Sequence, residues 1–334
     1  MKKLNILITG VAGLVGSNLA LELSKTHNVV GIDNLSSGYE DNIPENIKFI
    51  KTDCNNLTSD NFKNIDIVIH AACYPYEGLS VFSPKLITNS VFGMSMNVLT
   101  CSIQAKVPKF IYLSSMARYG EDNIVPFLET YQTKPVDPYG IAKVAFENTL
   151  ISLHKIHNFN YTIIVPHNIV GTGQNYTDPY RNVAGIMINK MLQGIQPTIY
   201  GDGKQKRCFS DIRDVVEPIC KIINSDICDN QIINIGPDKD YITINDLAKK
   251  ISQIIKFDLN PIYLPSRPLE VKYANCSAEK ARVILNYKPK IDIDDILDNM
   301  ITYVKQRGPR PFNYHLPLEI INDMTPKPWI GGGL

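Results

Sequence analysis

The 334-residue chain has almost no charge bias: 34 lysines and arginines face 33 aspartates and glutamates, for a formal net charge of +1. That balance excludes a general electrostatic pull on nucleic acid or an anionic membrane surface, so any anionic ligand needs a local site. No apolar run approaches the length that spanning a bilayer requires, and Met1-Lys2-Lys3 runs straight into the first apolar stretch, leaving no room for a signal peptide. Cys54, Cys73, Cys101, Cys208, Cys220, Cys228 and Cys276 are scattered, odd in number and without a CxxC pair. Such thiols argue against a disulfide framework and point to a cytoplasmic protein. The six histidines form no metal-type cluster, so no metal is expected. Internal repeats are also missing. At 44% hydrophobic, the chain can bury a large core and should form one or two domains.

What is present begins at the N-terminus. Leu4 to Thr9 reads as a buried strand; Gly10, Gly13 and Gly16 follow, and Leu14, Val15, Leu19, Ala20 and Leu23 recur at helical intervals. Strand, tight turn and helix start together form an anion site, because free N–H groups and the positive end of the helix dipole converge there. Gly10 permits the turn, Gly13 admits a pyrophosphate against the backbone, and Gly16 lets the helix pack close to the sheet. A chance glycine turn would look similar, but here the context is ordered. Val29 to Ile32 reads as a second strand and ends in Asp33, where a carboxylate can accept both ribose hydroxyls of an adenosine. An acid at that position, with no arginine just after it, favours NAD over NADP by repelling a 2′-phosphate.

The polar loop Asn34, Leu35, Ser36, Ser37, Gly38 is placed to wrap the adenosine. A third strand at 47–51 closes with Asp53 and Cys54, and a fourth at 65–70 is followed by Ala71 and Ala72. Small residues there let a cofactor lie against the backbone, though they suit tight helix packing equally well. A helix is expected from Ser83 to about Ala105, a fifth strand at 110–115 ending in Ser114 and Ser115, a helix from Tyr139 to about His157, and a sixth strand at 161–165. This alternation predicts an α/β fold, a Rossmann-type doubly wound parallel sheet with its ligand at the strands' C-terminal ends. Residues 1–166 read as the NAD-binding domain, to which later segments can return. Residues 167–306 read as a smaller α/β substrate-binding region, with helices at 182–193, 212–224, 244–255, 278–285 and 292–305 and short strands near 198–200, 231–235 and 261–263. Thr243 and Asp246 form a capping pair. The tail, 307–334, is too rich in proline and glycine for regular secondary structure, but it carries the single tryptophan, Trp329, and so is expected to pack.

Tyr139 and Lys143 stand four apart, on one helical face. Alone, such a pair is commonly a surface feature. Here it follows a dinucleotide turn and a serine-ended strand, in order. A nearby ammonium favours phenolate, so the Tyr139 pKa is expected to fall towards the working pH, and Ser115 can hydrogen-bond the same substrate oxygen.

With these residues the chain resembles the extended short-chain dehydrogenase/reductase family, in its nucleotide-sugar epimerase/dehydratase branch, up to about Lys305. The resemblance rests on Gly10–Gly16, Asp33, Asp53, His70-Ala71-Ala72, Asn89–Asn97 around Gly93, Ser114-Ser115, Tyr119-Gly120, Tyr139 with Lys143, and Pro166-His167-Asn168. Later matches are Gly201-Asp202-Gly203, Arg207 to Asp211, Arg267, Glu270 and Lys280-Ala281. It implies catalysis by Ser115, Tyr139 and Lys143. It implies NAD contacts at Gly10, Gly13, Leu14, Val15, Gly16, Asp33, Asn34, Ser36, Ser37, Gly38, Asp53, Cys54, Ala71, Ala72, Asn89, Ser114, Tyr139, Lys143, Pro166 and His167. Substrate contacts are implied at Ser115, Asn168, Tyr200, Arg207, Arg267, Glu270 and Ala274. Arg207 and Arg267 would grip a diphosphate, although either could instead be a surface ion-pair partner.

Family members that dehydrate place an Asp-Glu pair after the residue matching Ser115. Met116 and Ala117 stand here, and neither can move a proton. The resemblance therefore implies epimerisation: Tyr139 takes the proton of a sugar 4-hydroxyl, C4 hydride passes to NAD, and the 4-keto sugar turns over before hydride returns. The alternatives are a nucleotide-sugar 4-dehydrogenase or 4-keto reductase, and a non-catalytic NAD-binding regulator. The substrate would be a UDP-, GDP- or dTDP-sugar. The partner would be a second copy, paired through the helices 83–105 and 139–157 with Val91, Met94, Met96, Val98 and Val144 supplying apolar surface. Arg118 stands where the family is usually apolar, implying an unusual local pocket. Ala274 in family register implies room for an N-acetyl group, whereas Tyr273 there would close it. The long tail suggests an uncommon sugar of surface polysaccharide.

Overall fold

A computed structural model of the chain describes residues 2–121, 124–239 and 241–331. The apolar runs form parallel strands: β1 (Asn5–Thr9), β2 (Asn28–Asp33), β3 (Lys48–Lys51), β4 (Ile67–His70), β5 (Lys109–Leu113) and β6 (Asn160–Pro166). A seventh, Gln231–Ile235, joins them in the order Gln231–Ile235, β6, β5, β4, β1, β2, β3. The chain builds outward from β1 to β3 and then returns to β1's other side with β4. Thr9 consequently lies between Ile32 and His70, and a crevice opens where the strand order reverses.

Every residue of β4 and β5 is buried, as expected of strands covered on both faces. One face packs on the helices Leu14–Leu23 and Ile212–Ile223 through Leu19, Leu23, Ile219 and Ile222. The other packs on Met94–Gln104 and Pro138–His157 through Val98, Leu99, Phe146 and Leu150. Ile212–Ile223 and Gln231–Ile235 thus return to the N-terminal sheet from the later half of the chain. Three further helices, Val183–Leu192, Ile244–Ile255 and Ile293–Arg307, share a separate core around Ile188, Leu247, Ile251, Leu297 and Ile301. Thr243 Oγ1 accepts from the Asp246 N–H at 3.0 Å, capping the second of these.

Three expectations need correction. The helical run 84–104 does have the length and composition to cross a membrane, but Ile87, Val91, Val98 and Leu99 bury it in the core. Val91, Met94 and Val98 therefore belong to the core and not to a surplus apolar face. Within that run, Asn89–Gly93 is a π-helical turn. In the tail, Lys327–Gly331 forms a short helix, because Pro328 lies in its first turn, where no N–H is needed. Residues 332–334 of the tail lie outside the described residues.

Two core histidines are buried as neutral rings. His70 Nδ1 pairs with Thr9 Oγ1 at 2.7 Å and Nε2 with Ser95 Oγ at 2.8 Å; burial first, then the Lys143 charge, pushes it down to about 3. His167 is pushed down to about 4 by burial. In the unfolded chain both titrate near 6.5, so as pH falls below that value the unfolded state binds protons the native state refuses. Stability is therefore lost between about pH 6.5 and pH 4. The urea midpoint should fall over that window in wild-type protein and fall less in His167→Gln. Parallel profiles for the two proteins would count against it.

Candidate active site

A cavity of about 430 Å³ runs along the C-terminal ends of β1, β2, β4 and β5. It is lined by Gly10, Gly13, Leu14, Val15, Gly16, Asp33, Asn34, Ser36, Ser37, Gly38, Asp53, Cys54, Ala71, Ala72, Asn89, Ser114 and Pro166, so the structure gathers nearly all the cofactor residues expected from the sequence. A Cβ added at Gly10, where φ is +73°, would lie 2.8 Å from the Ala72 nitrogen, and one at Gly16 would lie 2.1 Å from the Gly10 oxygen. Gly13 caps the following helix without a side-chain bond, and no carboxylate stands in its first turn. Its leading N–H groups are left for an anion. Asp33 accepts from the Ala12 and Leu35 N–H groups at 3.0 and 2.7 Å, while burial pushes its pKa up. Asp53 accepts from Asn34 Nδ2 at 2.7 Å and from the Asn55 N–H at 2.8 Å, tying the adenosine loop to the third strand. This donor and acceptor set fits a dinucleotide: N–H groups for the pyrophosphate and a carboxylate for a ribose. His167 is the exception. Its ring is fully buried against Gly236 and does not line the cavity.

Ser115, Tyr139 and Lys143, the trio expected to be catalytic, line the same cavity. Lys143 Nζ donates to the Leu113 carbonyl at 2.7 Å and to Cys73 Sγ at 3.6 Å. It sits 4.7 Å from the Tyr112 ring centre and 5.7 Å from that of Tyr139. Burial pulls the Lys143 pKa down, and Cys73 partly restores it. The expected lowering of Tyr139 is not found: burial first, then Cys73, holds its pKa well above the usual phenol value, against the opposing Arg181 charge and a Ser115 hydrogen bond. Desolvation of the phenolate outweighs the Arg181 charge and the Ser115 hydrogen bond here, so this state holds a protonated phenol. Ser115 Oγ also accepts from the Ala117 N–H at 3.2 Å, which aims it from the end of β5.

A second cavity, about 230 Å³, adjoins the first and holds Asn168, Tyr200, Arg207, Arg267, Glu270 and Ala274. Arg207 and Arg267 both reach Glu270 Oε1, at 3.4 and 3.0 Å, and Arg267 stands over the Tyr200 ring at 5.1 Å. Ala274 faces this cavity, whereas Tyr273 is exposed and does not line it. Met116 lines both cavities and Ala117 the second, so no proton-moving side chain stands at those positions.

Sequence reasoning missed the residues that join the cavities: Tyr76, Glu77 and Arg181 line both. Tyr76 donates to Asp178, and Arg181 Nη1 donates to the Pro75 carbonyl at 2.8 Å. They lie on two loops distant in sequence, and no spacing could have paired them. Arg118 was expected to alter the pocket and does not line it. It is buried in an ion pair with Glu147, 2.9 Å from Nη2, and Glu147 also accepts from Ser114 Oγ. Arg118 Nη1 donates to the Tyr119 hydroxyl at 3.1 Å, which donates to Asn234 Oδ1 at 2.8 Å. Glu147 lies one turn beyond Lys143, so the network ties the catalytic helix to the strand end that carries Ser115.

A doubly wound sheet, a glycine turn with an acidic second strand, and a Ser–Tyr–Lys trio define an enzyme of the nucleotide-cofactor dehydrogenase class. The family model described as the NAD dependent epimerase/dehydratase family matches residues 6–236, and the chain belongs to that family. Its relatives include a UDP-glucose 4-epimerase of Lactobacillus helveticus, 27% identical, matched over 88% of this chain and 95% of its own. The solved UDP-glucose 4-epimerase of Thermotoga maritima with UDP-glucose is 30% identical, with a TM-score of 0.86, over 91% of this chain and 99% of its own. The UDP-glucuronic acid 4-epimerase of Bacillus cereus with UDP-glucuronic acid and NAD is 27% identical, with a TM-score of 0.85, over 91% and 100%.

Breaking the buried pair should be costly because the surviving charge is stranded. Glu147→Ala is expected to destabilise the protein by about 3–5 kcal/mol, and the double variant Arg118→Met, Glu147→Leu should recover most of that loss. Urea unfolding of the three proteins checks it, and a single-variant cost under about 1 kcal/mol would contradict the burial argument.

Proposed function

We propose that this enzyme is a UDP-sugar 4-epimerase, working through a 4-keto intermediate. The observation that carries this reading is the convergence of Ser115, Tyr139 and Lys143 between a dinucleotide crevice and an arginine-lined cavity, with Met116 and Ala117 in place of proton-moving groups. Bound NAD supplies the hydride acceptor and later donor. Tyr139 accepts the 4-hydroxyl proton and afterwards returns it, and Ser115 hydrogen-bonds the same oxygen. Lys143, held at the Leu113 carbonyl, keeps a positive charge beside the phenol. Because burial favours the neutral phenol, Tyr139 becomes a base only when the complete site adds positive charge. Arg207 and Arg267 exchange their shared carboxylate, Glu270, for the diphosphate. UDP is favoured over GDP and dTDP by the names of the relatives. The small Ala274 supports acceptance of N-acetylated sugars, and the epimers would serve polysaccharide assembly.

Incubation with UDP-glucose and with UDP-N-acetylglucosamine should give the 4-epimer of each without net reduction of NAD. Tyr139→Phe should lower kcat by about a thousandfold while NAD stays bound. Net accumulation of NADH, with an oxidised sugar, would assign a 4-dehydrogenase; wild-type turnover in Tyr139→Phe would end the mechanism.

We further propose a cytoplasmic homodimer. Seven scattered cysteines without a CxxC pair support the compartment, and the solvent-facing Ile141 and Ile156 of the helix Pro138–His157 support the pairing. Sedimentation at micromolar concentration should show a dimer that Ile141→Glu weakens; a wild-type monomer would remove the proposal.

A further inference from the structure

Beyond the helix Ile293–Arg307 the tail crosses the molecule as a strap tied to both of its parts. On the helical core, Asn189 Nδ2 and Gln193 Nε2 donate to the Arg310 carbonyl at 2.8 and 3.0 Å, and the Arg310 N–H returns a bond to Asn189 Oδ1 at 3.1 Å. Midway, the Asn313 N–H donates to the Thr177 carbonyl at 2.9 Å and the Tyr180 hydroxyl to Leu316 at 3.1 Å. On the Rossmann side, Ser83 Oγ donates to the Pro317 carbonyl at 2.7 Å, and the Glu319 and Ile320 N–H groups share the Phe82 carbonyl. The Glu319 carboxylate accepts from the Lys85 and Leu86 N–H groups at 2.8 and 3.0 Å, at the start of the helix Pro84–Thr88.

Such fastening alone would make the strap a brace. Its side chains do more, because Phe312, Tyr314, Pro328 and Trp329 line the second cavity together with Arg207 and Arg267. Trp329 packs edge-on against Phe82 and Tyr180, with ring centres 6.0 and 5.4 Å away. Trp329 and Arg267 both close over Gly78: a methyl placed there would lie 3.3 Å from Arg267 Nη1 and 3.6 Å from the tryptophan ring edge. Tyr314 stacks edge-on with Tyr180, and its oxygen is close enough to act on Tyr200, whose pKa is pushed up to about 12 chiefly by burial. Arg267 Nε is buried without a partner on this wall.

We propose that the strap is a substrate-binding element, in which Trp329 and Tyr314 supply the aromatic wall that holds a nucleoside diphosphate against Arg267. The inference rests on the reading that the second cavity takes a nucleotide sugar. Aromatic rings with a polar edge, set beside a cation, suit a ligand that has both a flat or pyranose face and a charged diphosphate. Gly78 fits the same arrangement, since a methyl there would already crowd Arg267 Nη1 at 3.3 Å.

Because Trp329 is the single tryptophan, its emission reports on the strap alone. Holoenzyme loaded with NAD should be titrated with UDP, by emission and by calorimetry in parallel. The expected result is a saturable change in emission with the calorimetric Kd. Trp329→Leu should weaken UDP binding by about three- to tenfold and leave NAD affinity unchanged. If Trp329→Leu does not fold, Trp329→Phe and Tyr314→Leu carry the same test with smaller losses. UDP binding that leaves the emission and the variants' affinities unchanged would reduce the strap to a brace. Calorimetry showing no UDP binding at all would instead remove the nucleotide-sugar reading, and this proposal with it.

Discussion

A contact with no room for a methyl group sets the geometry of this enzyme. The backbone at Gly10 touches the chain leaving β4 at Ala72, and the helix after the turn touches Gly10 at Gly16. Both contacts lie where the strand order reverses. They bring an uncapped helix start over the crevice and leave its N–H groups as a fixed positive potential facing a ligand there. Asp33 adds the opposite sign a few ångströms along, and its bonds to Ala12 and Leu35 hold the turn and the adenosine loop in one frame.

At the other end of the crevice the chemistry is governed by the scarcity of water. Lys143 is buried, yet it keeps a carbonyl, a thiol and two aromatic faces as substitutes for hydration. Tyr139 is buried beside it and stays protonated, because a phenolate loses more by desolvation than the Arg181 charge and the Ser115 hydrogen bond return. On the proposed mechanism the pair waits for a further positive charge, which would link proton transfer to cofactor occupancy. Behind it, Arg118, Glu147, Ser114 and Asn234 satisfy one another and hold helix to strand, so the reacting groups sit on a rigid base.

The second cavity is assembled differently. Arg207 comes from the two-residue strand Lys206–Arg207, Arg267 and Glu270 from the loop that follows the strand Ile262–Leu264, and one wall from the tail. No single element dictates its shape. Relatives that share the crevice can thus differ in the sugar they hold, and function here has to be argued from the site and not from the fold.

Sequence alone marked out the parallel strands, the glycine turn and the shared helical face of Tyr139 and Lys143, because each depends on spacing within one strand–turn–helix unit or one helix. Periodicity of two or of 3.6 survives in the order of residues, and so does a tyrosine four places before a lysine. Tertiary structure decided the rest. Tyr76, Glu77 and Arg181 come together only because segments distant in sequence meet in the fold, as the Arg181–Pro75 bond shows, and His167 turned inward because Gly236 leaves space for its ring. Arg118 found Glu147 across the core instead of facing the pocket. The pKa of Tyr139 was set by how completely packing excluded water, a quantity that no local pattern encodes. Trp329 reached the second cavity through anchors spread over both parts of the chain, and contacts of that kind are fixed only when the whole core has closed.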